Sequence, residues 1–238
     1  MNLLAFEAAT SRLSVALYRA GAITEKSTIV PNGGSERLLP WANELLAEAG
    51  LTLKQLDGIA FGAGPGGFTG LRLACGVTQG LAFGLDLPVV PVGTLAALAL
   101  ANSSGGEGKV FACLDARMNE VYVAAYKVSG DSVQEIMAPK VGAGETAPVP
   151  DGAGWCGAGD GFATDHGEAI RQRMGARLIS FDANLFPTAG AVARLAAPVL
   201  ARGGGVAAAQ ALPLYVRDKV ALTKAERAAE RLARGGSK

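Results

Sequence analysis

The chain has one histidine, His166, and three cysteines, Cys75, Cys113 and Cys156, in 238 residues. A single imidazole excludes a two-histidine metal site, and no two cysteines have the short spacing of zinc ligands. A Ser-His-Asp arrangement would have to use His166, and no G-x-S-x-G turn is present to hold the serine. Widely spaced thiols, odd in number, read as reduced and mostly buried; Cys75, in a glycine- and leucine-rich helical pattern, reads as core. His166 lies among turn residues and reads as a surface side chain. Charge is also sparse: 18% of residues, with a net charge of +1 spread evenly. That excludes the basic footprint of an independent nucleic-acid binder. The longest uncharged stretch, residues 87–106, is broken by Pro88 and Pro91. It stays apolar for about 15 residues, where a bilayer span takes roughly 20. Met1-Asn2-Leu3 runs straight into a strand-like segment, with no basic region or cleavage site of a secretory signal. These absences predict a cytoplasmic protein that contacts no membrane, holds no metal and carries no catalytic residues of its own.

Small residues dominate instead. Half of the chain is hydrophobic but only 6% is aromatic, and 33 residues are glycine. That composition suits α/β packing, and the length suffices for one large domain or two small ones. Leu3–Ala8, Leu13–Tyr18 and Ala22–Ile29 read as three short strands. Pro31-Asn32-Gly33-Gly34 breaks the pattern, and Ser35 is placed to cap a helix carrying Leu38, Ala42, Leu45 and Leu46 at helical spacing. Pro40 predicts that this helix is kinked or begins near Leu39. Strand Gly58–Gly62, helix Thr69–Phe83, strand Val89–Val92 and helix Leu95–Asn102 follow. Three antiparallel strands, then helix–strand–helix–strand–helix, is the ribonuclease-H-like order of the actin/hexokinase/Hsp70 superfamily. Residues 103–108 read as a boundary. Beyond it, Val110–Asp115 and Val121–Val128 form a hairpin, and Val133–Met137 adds a third strand. Pro139 to Gly161 carries no pattern worth forcing. Helices are predicted at Thr164–Gln172 and Thr188–Ala201, and Thr223-Lys224-Ala225-Glu226 is a capping box for a charged final helix. The expected organisation is an N-terminal ribonuclease-H-like subdomain (1–104), a smaller, less regular second subdomain (105–205) and a C-terminal return segment with the charged helix (206–238).

The densest motif is Gly64-Pro65-Gly66-Gly67-Phe68-Thr69-Gly70-Leu71-Arg72, between a strand and a helix. Glycines here permit a tight turn and close backbone approach. The free N–H groups of a helix start favour a docked phosphate, carboxylate or carbonyl, and the plain alternative is a tight corner capped by Thr69. Gly62 to Gly67 fits the dinucleotide fingerprint G-x-G-x-x-G, and Asp86 stands about 20 residues on. Three strands precede it, however, where the fingerprint requires the first. Gly62 to Thr69 fits a P-loop except for Phe68, which stands where the phosphate-binding Lys must be.

The same nine residues closely resemble the GPGSFTGLR signature of the bacterial TsaB (YeaZ) family, with Gly67 in place of Ser. Leu4 to Thr10 resembles the family's LAIDTAT. Ser35 to Pro40 is similar to HSExLLP, with Gly34 in place of the His. Asp115 to Tyr122 resembles DARMGEVY, with Asn119 for Gly, and Leu214 to Arg217 resembles a PxYLR segment. Four further motifs in order make the resemblance specific over the length of the chain. It implies the actin/hexokinase/Hsp70 fold and a non-catalytic subunit that binds and orders TsaD. With the ATPase TsaE, TsaD transfers a threonylcarbamoyl group to the adenosine beside the anticodon of tRNA. The HxxxH metal motif of TsaD has no counterpart here. The resemblance implies contact with tRNA only through the complex, and pairing through two helices with TsaD or with a second copy.

Two sets of site residues follow. Leu73, Val77 and Leu81 form one stripe on the helix after the glycine loop, and Gly76, Gly80 and Gly84 form another beside it. Mid-helix glycines cost about 0.8–1 kcal/mol each, so something presses on that face, either the chain's own core or a partner helix flanked by Leu38, Ala42 and Leu45. The second set, Glu7, Thr10, Gly64, Gly66, Gly67 and Asp115, is a candidate nucleotide or Mg²⁺ site. Glu7 stands where nucleotide-hydrolysing relatives carry Asp, and the rival account has Thr10 and Asp115 capping turns. ATP is expected to bind only weakly or within the complex, and no cofactor tightly. The alternative function is a small ATP-dependent kinase or nucleotide-binding protein of the same superfamily.

Overall fold

The computed structural model describes residues 1–30, 34–103 and 106–217. The predicted turn at Pro31–Gly33, part of the expected boundary at Ser104-Gly105, and the capping box at Thr223–Glu226 lie outside them. In chain order the elements are β1 (Asn2–Glu7), β2 (Arg12–Arg19), β3 (Ala22–Ile29), α1 (Ser35–Glu48), β4 (Gly58–Gly64), α2 (Phe68–Leu85), β5 (Val89–Gly93) and α3 (Thr94–Ser103). The second half adds β6 (Glu107–Arg117), β7 (Glu120–Ser129), β8 (Ser132–Gly142), β9 (Trp155–Ala158), α4 (Asp165–Met174), β10 (Leu178–Asp182) and α5 (Ala189–Ala201).

The strands form two five-stranded sheets, ordered β3-β2-β1-β4-β5 and β10-β9-β6-β7-β8. In the first, β1 to β3 pair antiparallel, then β4 and β5 add in parallel to β1. The second repeats this plan: β6 to β8 are antiparallel, and β9 and β10 add in parallel to β6. Each half is therefore a ribonuclease-H-like sheet, and the chain has the actin/hexokinase/Hsp70 architecture.

Strand alternation divides the core. Leu3 and Ala5 of β1 and Val110, Ala112 and Leu114 of β6 face a shared central core with α3 and α5. Leu4 and Phe6 point the other way, toward α1 and α2, and Phe111 and Cys113 point toward the α4 side. Helices α1 and α2 thus cover the outer face of the first sheet and turn their far sides outward.

Several local expectations are corrected. Gly34, at φ 90°, is the N-cap of α1 and Ser35 its first helical residue; the helix runs through Pro40. Gly67, not Thr69, is the N-cap of α2, and Asp86 is its left-handed C-cap. Strand β8 continues to Gly142, and β9 and β10 were not foreseen. Only four or five residues each, among glycines and charged residues, they carry too little alternation to show as a pattern. His166 is half-buried, with its Nδ1 buried and unpartnered.

Candidate functional site

The glycine loop closes on its own chain. The Gly67 N–H donates to the Ala9 carbonyl at 2.7 Å. A Cβ on Gly66 would stand 2.6 Å from both the Cβ and the carbonyl oxygen of Ala9, and the Ala8 carbonyl fills the space beside Gly70. Gly64, at φ 115°, lies against the carbonyl of Leu214. These glycines let the loop pack onto the β1–β2 turn and the C-terminal segment. Ala8 and Ala9 fill the space beside Gly66 and Gly70.

The acidic residues are similarly committed. Glu7 is fully buried at the end of β1. Burial pushes its carboxyl up to about 7, against the lowering effect of the Ala9 and Ala8 N–H groups and of Thr94. Its Oε1 accepts the Ala9 N–H at 2.6 Å, while Oε2 has no partner and occupies the space beside Gly62. The Thr10 hydroxyl accepts the Arg12 N–H at 3.2 Å. Asp115 accepts the Arg117 N–H at 2.8 Å and pairs with its guanidinium at 2.9 Å. Both therefore cap turns, and no hydrogen bond joins Asp115 to Glu7 or Thr10. In this structure the six residues serve two separate turns and a packed loop.

The helix stripes separate just as sharply. Leu38, Ala42 and Leu45 are buried in the chain's own core beneath α1, which corrects their assignment to a partner surface. Leu73 and Val77 are half-buried against the same core. Gly76, Gly80 and Gly84 are exposed, and a Cβ at any of them would meet nothing within 4 Å. Among the described residues, then, nothing packs against these glycines. They continue an i, i+4 row that starts with Phe68 and Arg72. At that end the Arg72 guanidinium lies 3.4 Å from the Phe68 ring centroid, and its Nε donates to the Tyr215 hydroxyl at 3.0 Å. At the other end Phe83 is 82% exposed. The result is a strip of bare helix backbone between aromatic ends. Exposed Leu39 on α1 adds apolar surface. Sequence reasoning missed Phe68 and Arg72 although both sit in the i, i+4 register; Tyr215, 143 positions from Arg72, gives no sequence signal.

A family model described as "TsaD: tRNA N6-adenosine threonylcarbamoyltransferase" matches residues 26–152. The chain is 32% identical over 243 residues to the tRNA threonylcarbamoyladenosine biosynthesis protein TsaB of Escherichia coli, covering 94% of this chain and 98% of that protein. It belongs to the TsaB (YeaZ) family. TsaB of Haemophilus influenzae is 45% identical over 135 residues, 55% of this chain and 57% of that protein. The solved structure of YeaZ from Pseudomonas aeruginosa superposes with a TM-score of 0.82 at 42% identity, covering 90% of this chain and 99% of that one. Family membership extends over both sheets, so the buried Glu7 and the exposed glycine row belong to a chain with the family's whole fold. Among the described residues, no helix is long and apolar enough to cross a membrane.

Proposed function

We propose that this chain takes part in forming threonylcarbamoyladenosine in tRNA as a non-catalytic subunit. It binds and orders a TsaD-type transferase, in an assembly that includes TsaE and reaches tRNA only through the complex. The observation that carries this reading is the bare Gly76-Gly80-Gly84 row on α2. A glycine row weakens a helix, and this one packs against nothing among the described residues. Small residues on an exposed helix face let a second helix approach at the close end of the usual 8–10 Å range. The chain's single histidine and its buried Glu7 offer no metal-binding or acid–base centre for the transfer itself, which supports a partner role. The packed glycine loop supports the further proposal that no nucleotide binds tightly to the isolated chain.

Size-exclusion chromatography of the chain mixed with TsaD from the same cell tests the reading. A 1:1 or higher-order complex is expected, and reconstituted tRNA modification should require both chains. TsaD that modifies tRNA at full rate without this chain, or that never co-elutes with it, would overturn the proposal. In that assay the chain alone also reports whether a homodimer competes for the same face.

A further inference from the structure

The motif Leu214 to Arg217 enters the function proposed above only through Tyr215, at one end of the α2 strip, yet its contacts reach both sheets. Just before it, the Ala211 carbonyl accepts from Gln79 Nε2 at 2.8 Å and from Cys75 Sγ at 3.2 Å, both on α2. The Leu214 N–H donates to the Ala63 carbonyl at 2.6 Å, at the end of β4. Tyr215 receives the Arg72 Nε hydrogen bond, and its ring lies 5.9 Å from that of Phe68. These bonds tie the segment to the glycine loop and the first turns of α2.

Two residues later the chain is fastened to the other sheet. The Arg217 guanidinium donates to the Ala116 carbonyl at 3.1 Å, to the Glu120 carboxylate and to Met118 Sδ, and lies 5.8 Å from the Tyr122 ring centroid. Its target is a strained turn. Arg117, Met118 and Asn119 hold φ of 58°, 54° and 61° in succession, a left-handed run that residues with a Cβ avoid. Asp115 braces the turn from one side and Arg217 from the other. Only two residues separate Leu214 from Arg217, and four residues span at most about 14 Å, so the two anchors are joined by a short stretch of chain.

We propose that residues 214–217 are a clasp through which the β6–β7 turn and the first turns of α2 hold each other in place. Release of Arg217 from the turn loosens Tyr215 on Phe68 and Arg72, and release of Tyr215 loosens the turn. The clasp stands whether or not α2 docks a partner; only its consequence for assembly rests on the function proposed above. Coupling of this kind is reciprocal, and that reciprocity is what a merely local role lacks.

Peptide-resolved hydrogen exchange on the full chain tests it. Arg217→Ala is expected to speed exchange about tenfold both at residues 116–120 and at residues 71–75, with β1 and β4 unchanged. Tyr215→Ala, which removes contacts to α2 alone, is expected to speed exchange at residues 116–120 as well. Glu120→Gln gives the same pattern more weakly and serves if Arg217→Ala does not fold. Variants that each loosen only their own end would overturn the clasp. So would a loss of protection spread evenly through β1 and β4.

Discussion

Replacing Gly80 separates a docking face from a packing face, because the two demand opposite changes in stability. A Cβ at Gly80 meets nothing within 4 Å, and the residue lies inside the 18-residue helix α2. Gly80→Ala therefore gains helix propensity without a clash, about 0.8–1 kcal/mol. For a chain of this size that is a rise in Tm of roughly 2–4 °C. Ala at Gly76, Gly80 and Gly84 together should add up to about 2–3 kcal/mol. Gly80→Leu keeps most of the gain in the isolated chain, about 0.7 kcal/mol, but plants a branched side chain in the middle of the bare strip. A partner helix at 8–10 Å cannot stay there, and TsaD affinity should fall at least about a hundredfold, or about 2.7 kcal/mol. Circular dichroism melts and calorimetric titration with TsaD measure the two quantities. If Gly80→Leu melts several degrees earlier and still pairs normally, the strip is core and the docking argument is wrong.

Other consequences are as definite. Burial holds Glu7 protonated up to about pH 7, whereas the unfolded group ionises near 4.5. Its folded value is raised, so stability should decline as pH rises between those values and then level off, by about 3 kcal/mol in all. Glu7→Gln should flatten that part of the denaturant-midpoint profile, and an unchanged profile would refute the assignment. Gly66→Val places side-chain carbon against Ala9 and should cost about 1–3 kcal/mol or more by overpacking; a melt equal to that of the parent would show that the loop is open. Calorimetry with ATP–Mg²⁺ should give binding weaker than about 100 μM, above about −5.5 kcal/mol. Tighter binding that disappears in Gly66→Val would restore the nucleotide reading.

The order of elements in the first half was legible because each has a local cause. Alternation in β1 and β2, the 3.6-residue repeat in α1 and α2, and glycines and prolines between them are all short-range signals. The resemblance of five ordered motifs located the family for the same reason, since a motif is a local string. Sequence also found both helix stripes correctly as stripes. It could not say which one faces outward. Leu38, Ala42 and Leu45 were as apolar as a docking face should be, and the first sheet claimed them; Gly76, Gly80 and Gly84 were as small as a packing face should be, and nothing among the described residues covers them.

The remaining ambiguities share that physical root. Glu7, Thr10 and Asp115 are residue types that bind metals and phosphates, and they are equally the types that cap turns. Which role an acid plays depends on what surrounds its carboxyl, and for Glu7 that is the burial given by β1, β4 and Thr94. The phosphate loop suggested by Gly64–Gly70 was filled by Ala8 and Ala9, some sixty positions earlier. Arg72 with Tyr215, and Arg217 with Glu120, bring together side chains about a hundred or more residues apart. The sequence determined periodicity, turn chemistry and family, which depend on neighbours along the chain. Burial, exposure and the ties between the two sheets were decided only by the tertiary structure, because they depend on neighbours in space.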